Sequence, residues 1–167
     1  VNVVSEMVTP VIDLSDWSAA QLVFDHWYQI EADWDGGEIK CSSDGGETWL
    51  TLTPAGGYSD IIYDSWNLGI GSFPAYAGIS DGWENVVVPL DFYLGQSIQL
   101  KFIFWSDVGV IDLGWYLDNL KIIESQGLVQ PGSISASSGD DEQVEINWLP
   151  PAGVNTQADG FLGYNIY

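Results

Sequence analysis

Glu31, Asp33 and Asp35 occupy alternate positions in EADWDGG, where an alternating apolar run opens into a Gly-Gly turn. Alternate residues of an extended segment project to one side, so the three carboxylates can converge there. Closely spaced carboxylates beside exposed turn carbonyls suit a hard cation such as calcium, which takes about six to eight oxygens in flexible geometry. Asp107, at the end of FIFWSD, is a further candidate ligand. The run is not an EF-hand loop, because the later positions and the terminal Glu of that pattern are missing. GDDE at 139–142 reads as a solvated turn ahead of a strand.

Other chemistry is poorly supplied. His26 is the only histidine and Cys41 the only cysteine, so a zinc ligand set cannot be assembled and no intrachain disulfide can form. His26 lies mid-strand and reads as a satisfied or surface histidine; a Ser-His-Asp site would have to use it without any nucleophile-elbow pattern nearby. Cys41 reads as a small buried side chain. Glycoside hydrolysis needs only two carboxylates, so acidity alone does not exclude it. No catalytic set is assigned. The strongest binding-surface candidate is the aromatic, Gly-rich stretch from Pro54 to Gly82 and the Trp that follows it. Tyr58, Tyr63, Trp66, Phe73, Tyr76 and Trp83 lie there among turn-forming residues, suited either to stacking on a glycan or gripping a protein ligand, or to covering the end of the fold as a mini-core.

The elements that position these residues are strands. Aromatics are abundant, and Val, Ile, Thr and aromatics dominate the apolar runs between turn residues. In QLVFDHWYQIE, Leu22, Phe24, His26, Tyr28 and Ile30 share one face. ADWDGG, GEIKCSS, SDGG and ETWLTLT then read as two consecutive hairpins or a meander. Strands resume with WENVVVPLD, SIQLKFIFWSD and GWYLDNLKIIE, and no segment has a helical apolar period.

CSSDGGETW fits the Asp-box pattern S-x-D-x-G-x-x-W of β-propeller hairpins, but it occurs once in 167 residues, too short a chain for several four-stranded blades. It predicts a local turn instead: Asp44 accepting from turn N–H groups, Gly45 and Gly46 at positive φ, Ser42 in the same network, and Trp49 packing back across the strands.

Twenty-four acidic residues oppose three basic ones, Lys40, Lys101 and Lys121, for a formal charge of −21. Nucleic acid is excluded as a partner, since nothing neutralises phosphates. The excess fits divalent-cation sites, solubility in salty surroundings, or avoidance of anionic surfaces. No run is long enough for a membrane helix and there is no signal-peptide pattern, so the chain reads as an excerpt of a longer protein. A boundary follows Glu124: 1–125 forms one domain, 126–132 (QGLVQPG) a linker, and 133–167 the start of a second domain.

Two resemblances follow from these pieces. VIDLS, LVFDHWYQIEADWDGGEIKCSSDGGETW, PAYAGISDGW, VVVPLDFYLGQSIQLKFIFWSD and GWYLDNLKI, in that order, resemble the MAM-like jelly-roll domains of secreted bacterial proteins. That group includes immune-inhibitor-A-type metalloproteases, cleaved adhesins and choice-of-anchor-J proteins. Trp148 in VEINWLPP and the segment Gly163 to Tyr167 resemble the first strands of a fibronectin type III domain. The resemblance implies an all-β fold: a jelly-roll β-sandwich followed by an incomplete type III-like sandwich. It also implies a non-catalytic accessory module of a secreted or cell-surface protein, stabilised by structural calcium as such jelly rolls often are, and serving in adhesion, in glycan or protein binding, or in substrate positioning beside a catalytic domain. The alternative is an architectural segment of a surface stalk or filament, or an accessory domain of a secreted metalloprotease or glycosidase, with neighbouring domains of the same polypeptide as partners. It favours Glu31, Asp35 and Asp118 as ligands, with Asn119 standing where relatives often have a second Asp.

Overall fold

A computed structural model of the chain describes residues 3–63 and 71–124 and, further on, the backbone of residues 133–136 and 146–149. The chain divides into two units, Val1–Ser125 and Gln126–Tyr167. The first contains β1 (Val3–Val8), β2 (Ile12–Asp13), β3 (Gln21–Ile30), β4 (Gly36–Ser42), β5 (Leu50–Thr51), β6 (Asp60–Ile62), β7 (Phe73–Ala75), β8 (Gly78–Ile79), β9 (Glu84–Pro89), β10 (Ser97–Ser106) and β11 (Gly114–Ile123). A single 3-10 turn spans Asp91–Tyr93, and there is no α-helix among the described residues. The fold class is therefore all-β, a β-sandwich.

One sheet runs β1-β10-β4-β5, with β2 continuing the place of β1 beside β10. The other runs β11-β3-β8, with β9 continuing the place of β8 beside β3. Every pairing is antiparallel. Leu22, Phe24, His26, Tyr28 and Ile30 all point into the core, the face that the alternation predicts. Phe24 on β3 meets Phe102 on β10 edge-to-face at 5.6 Å, joining the two inner faces.

One reading from the sequence needs correction. β3 and β4 do not form a hairpin: they lie in different sheets, and only β4 and β5 pair across a short turn. Alternation identifies strands but not partners, so the five residues from Glu31 to Asp35 carry the chain between sheets instead of back along one. The stretch after Pro54, among the described residues, follows the mini-core alternative in part. It contains the antiparallel pair β6–β7, and Ile62, Phe73, Ala75, Tyr76 and Ala77 are buried in the core.

The Asp-box turn has the network its residue types predict. Asp44 accepts from the Thr48 N–H at 3.0 Å, and Ser42 Oγ accepts from the Gly46 N–H at 2.9 Å. Gly45 and Gly46 have φ of 79° and 95°. The Trp49 indole donates to the Gly46 carbonyl at 3.0 Å, and Lys101 of β10 sits 4.3 Å from its ring centroid. These donors hold the Asp44 carboxyl well below the usual carboxylate range, chiefly through the Thr48 hydroxyl.

In the second unit β12 (Ser133–Ala136) pairs antiparallel with β13 (Ile146–Leu149), placing Ile134 opposite Trp148. The third strand read near Phe161 lies outside the described residues.

Close packing makes one backbone position sensitive. A Cβ on Gly37 would lie 2.4 Å from Cε3 of Trp115, whose ring reaches across from β11. Gly37→Ala is expected to destabilise the domain by about 1–3 kcal/mol through overpacking, read as a shifted urea midpoint at unchanged slope. A midpoint equal to wild type would show that Trp115 yields freely.

Candidate metal centre

The crossing between β3 and β4 builds the site. Glu31 follows the last residue of β3, Asp35 precedes the first of β4, and the turn is closed by the Asp35 N–H donating to the Glu31 carbonyl at 3.1 Å. Asp33 takes the left-handed conformation this turn requires, with φ 69°. Because Gly36 of β4 pairs with Trp105 of β10, the chain leaving β10 passes directly beside Asp35. Asp35 Oδ1 accepts from the Asp107 N–H at 2.7 Å, and Glu31 Oε2 accepts from the Val110 N–H at 3.2 Å. Gly109 lies so close that a Cβ there would come within 2.9 Å of Asp107 Oδ1 and 3.3 Å of Glu31 Oε2.

The result is a group of three carboxylates, Glu31, Asp35 and Asp107, each with an oxygen within 4.8 Å of the others. Asp35 is only 3% exposed. Burial pushes its carboxyl above the ordinary range, and the neighbouring Asp107 and Asp112 charges push it the same way, against the opposing pull of the Asp107 N–H and the Ser106 hydroxyl. The cationic side chains are engaged elsewhere. Lys40 pairs with Glu38 at 3.2 Å, Lys101 with Glu6 at 3.3 Å, and Lys121 lies near Asp25.

These donors fit a hard divalent cation. Oxygens bound at about 2.3–2.6 Å to a shared ion lie up to about 5 Å apart, which the observed 4.8 Å satisfies. An all-oxygen set without His or Cys suits calcium or magnesium better than zinc. Backbone carbonyls and water would complete the shell. A cleft of about 300 Å³ opens beside the group, lined by Asp35, Asp107, Ser106 and Asp112. Asp112, fixed by Gln29 Nε2 at 2.9 Å, was not singled out by sequence reasoning. Its signal was the acidic spacing in SDVGVID, which repeats a carboxylate five residues after Asp107.

The other predicted ligands lie outside this group. Asp33 is exposed, and its backbone instead pins the β6 segment. Its N–H donates to Asp60 Oδ2 at 3.2 Å and its carbonyl accepts from the Tyr63 N–H at 2.8 Å. Asp118 lies opposite Asp25 on β3, beside the bulge of β11, and accepts from the Asn119 N–H at 2.7 Å. Asn119 reaches Asp25 at 2.7 Å, so this pair forms a separate polar cluster.

Among the aromatic candidates, Phe73 and Tyr76 are buried and form core, which removes them as open stacking faces. Tyr58 is half-buried, its hydroxyl donating to the Leu52 carbonyl at 2.8 Å. Tyr63 and Trp83 are exposed, and Trp66 lies outside the described residues.

The fold is a β-sandwich, and the one group of three carboxylates close enough to share an ion among the described residues sits at a sheet-to-sheet crossing. Its family is direct: residues 2–130 match the model for the immune inhibitor A-like MAM domain, and the chain belongs to that family. It is 30% identical over 105 residues to the pre-pro-metalloprotease PrtV of Vibrio cholerae, covering 63% of this chain and 10% of that protein. It is 27% identical over 114 residues to bacillopeptidase F of Bacillus subtilis, covering 68% of this chain and 6% of that protein. The chain thus spans a tenth or less of the length of these relatives.

The raised Asp35 carboxyl gives a signed expectation. In chelator the folded protein holds a proton that the unfolded chain releases above about pH 4, so Asp35 weakens the fold progressively as pH rises through its elevated folded value. The stability difference between Asp35→Asn and wild type in chelator is therefore expected to grow in favour of the variant from acid pH upward, measured by denaturant melts across pH. A difference independent of pH would show that Asp35 is not destabilised by its surroundings.

Proposed function

We propose that this domain is a non-catalytic accessory module of a larger secreted or cell-surface protein of protease type, stabilised by a calcium ion held by Glu31, Asp35 and Asp107. The observation that carries the reading is the convergence of three carboxylates, one of them buried, at a point no lysine serves. Removing charge from such a group costs the fold nothing only if no cation is there to be held. Family membership supports the setting, as do relatives named as a pre-pro-metalloprotease and a bacillopeptidase in which the matching segment is a small fraction of the whole. Among the described residues no helix is long and apolar enough to cross a membrane. His26, the only histidine, is held in the core against Trp115 and Glu84 and is not among the residues of the carboxylate group, which fits a binding role better than a catalytic one. The role is therefore one of binding and spacing, with neighbouring domains of the same polypeptide, and an extracellular glycan or protein, as partners.

Thermal melts test the ion. Calcium at about 100 times its Kd is expected to add roughly 2.7 kcal/mol of stability over chelator, and Asp35→Asn or Asp107→Asn should erase that increment. Superimposed melts in calcium and chelator, with no ion retained on equilibrium dialysis, would overturn the reading.

A further inference from the structure

A second site lies in the other sheet. His26 is 1% exposed, and its two ring nitrogens meet different surroundings. The Trp115 indole can only donate, and it donates to His26 Nδ1 at 3.2 Å, so in the neutral ring the proton is on Nε2. Nε2 makes no well-formed hydrogen bond, although the Glu84 carboxylate lies 3.5 Å from it. Burial lowers the pKa of His26, opposed by the attraction of Glu84, which supports the neutral form.

Glu84 is the residue directly opposite His26 in the β3–β9 register. Directly opposite residues of an antiparallel pair project to the same face, so this carboxylate points inward from an edge strand. Its Oε1 accepts from the Asp81 N–H at 3.1 Å, leaving Oε2 turned toward His26 Nε2 at 3.5 Å. A buried donor and an oriented acceptor thus face each other across a gap too long for a good direct hydrogen bond.

The pair lines a cleft of about 240 Å³ whose walls include Tyr28, Tyr58, Tyr76 and Gly56. That space exceeds the ~30 Å³ share of one water and falls below the range of drug-sized sites. An atom that accepts from Nε2–H and donates to the Glu84 carboxylate would satisfy both groups, as a water can and as a ligand that displaces it must. An ammonium cannot accept, while a carboxylate or phosphate cannot donate and is opposed by Glu84 and by a net charge of −21. A hydroxyl does both. The tyrosine rings among the walls add apolar surface, which suits a ligand with C–H groups as well as hydroxyls.

We propose that this cleft binds one neutral sugar ring, with a ring hydroxyl bridging His26 Nε2 and Glu84 Oε2. The assignment deepens the binding role proposed above by naming its ligand class, and it stands apart from the calcium centre, which uses none of these residues.

The test is a titration of the domain with a panel of neutral monosaccharides (glucose, galactose, mannose and N-acetylglucosamine), following the Trp115 indole and His26 ring resonances. At least one sugar is expected to shift both signals saturably. Glu84→Ala should weaken that binding on the order of tenfold. Gly56→Trp should abolish it by filling the mouth; a Cβ at Gly56 meets nothing within 4 Å, and an unchanged melt of the variant checks that the fold is kept. Repeating the titration in chelator should leave the sugar shifts unchanged, so loss of calcium binding and loss of sugar binding are separately visible. If no sugar shifts the signals, or if the shift survives both cleft variants in folded protein, the proposal is wrong and Glu84 is an inward-pointing charge that only blocks edge-to-edge pairing.

Discussion

The hydrogen bond that closes the turn between β3 and β4, from the Asp35 N–H to the Glu31 carbonyl, fixes where the chain leaves one sheet and enters the other. That crossing cannot be a hairpin, because the strands on either side pair with different partners: β3 with β8, β9 and β11, and β4 with β5 and β10. Once β4 lies beside β10 with Gly36 opposite Trp105, the carboxylates of the crossing and the residues after β10 are brought to the same end of the sandwich. The absence of a Cβ at Gly36 and Gly37 belongs to the same constraint. Side chains there would run into Ala75 and Ile62 on one side and the Trp115 ring on the other. The acidic cluster is thus a consequence of topology as much as of composition.

What could be read in advance divides along this line. Strand identity and the buried face of β3 follow from period-two alternation, which is a local property. The Asp-box turn was equally legible, since Ser42, Asp44, Gly46 and Trp49 satisfy one another within a few residues. Sheet membership was not, because nothing in EADWDGG states whether the turn returns along the same sheet. Glu31 and Asp35 could be named from their spacing, but their partnership with Asp107 rests on a register set more than seventy residues away in sequence. Asp33 shares the same alternation and is nonetheless directed elsewhere, since its left-handed backbone breaks the extended geometry on which the alternation depends. Part of the aromatic stretch is closed off for a related reason, while Tyr63 and Trp83 stay exposed. Gly and Pro signal a loop, yet Phe73 and Tyr76 are recruited into the core by β7 and the Gly37–Tyr76 bridge.

The charge imbalance explains why the buried or tightly held carboxylates are treated so differently. Asp44 is surrounded by N–H and hydroxyl donors from its own turn, which favour the charged form without any cation. Glu38, 1% exposed, has Lys40 at 3.2 Å and the Thr51 hydroxyl, and so consumes one of only three lysines. Asp35 has a backbone donor but two like charges for neighbours, and the lysines are already committed to Glu38, Glu6 and the surroundings of Asp25. In a chain with so few basic residues, the burial of Asp35 can be offset by a proton or, in the reading proposed above, by a cation shared with Glu31 and Asp107. The first weakens as pH rises, which is why the two are separable by melts across pH.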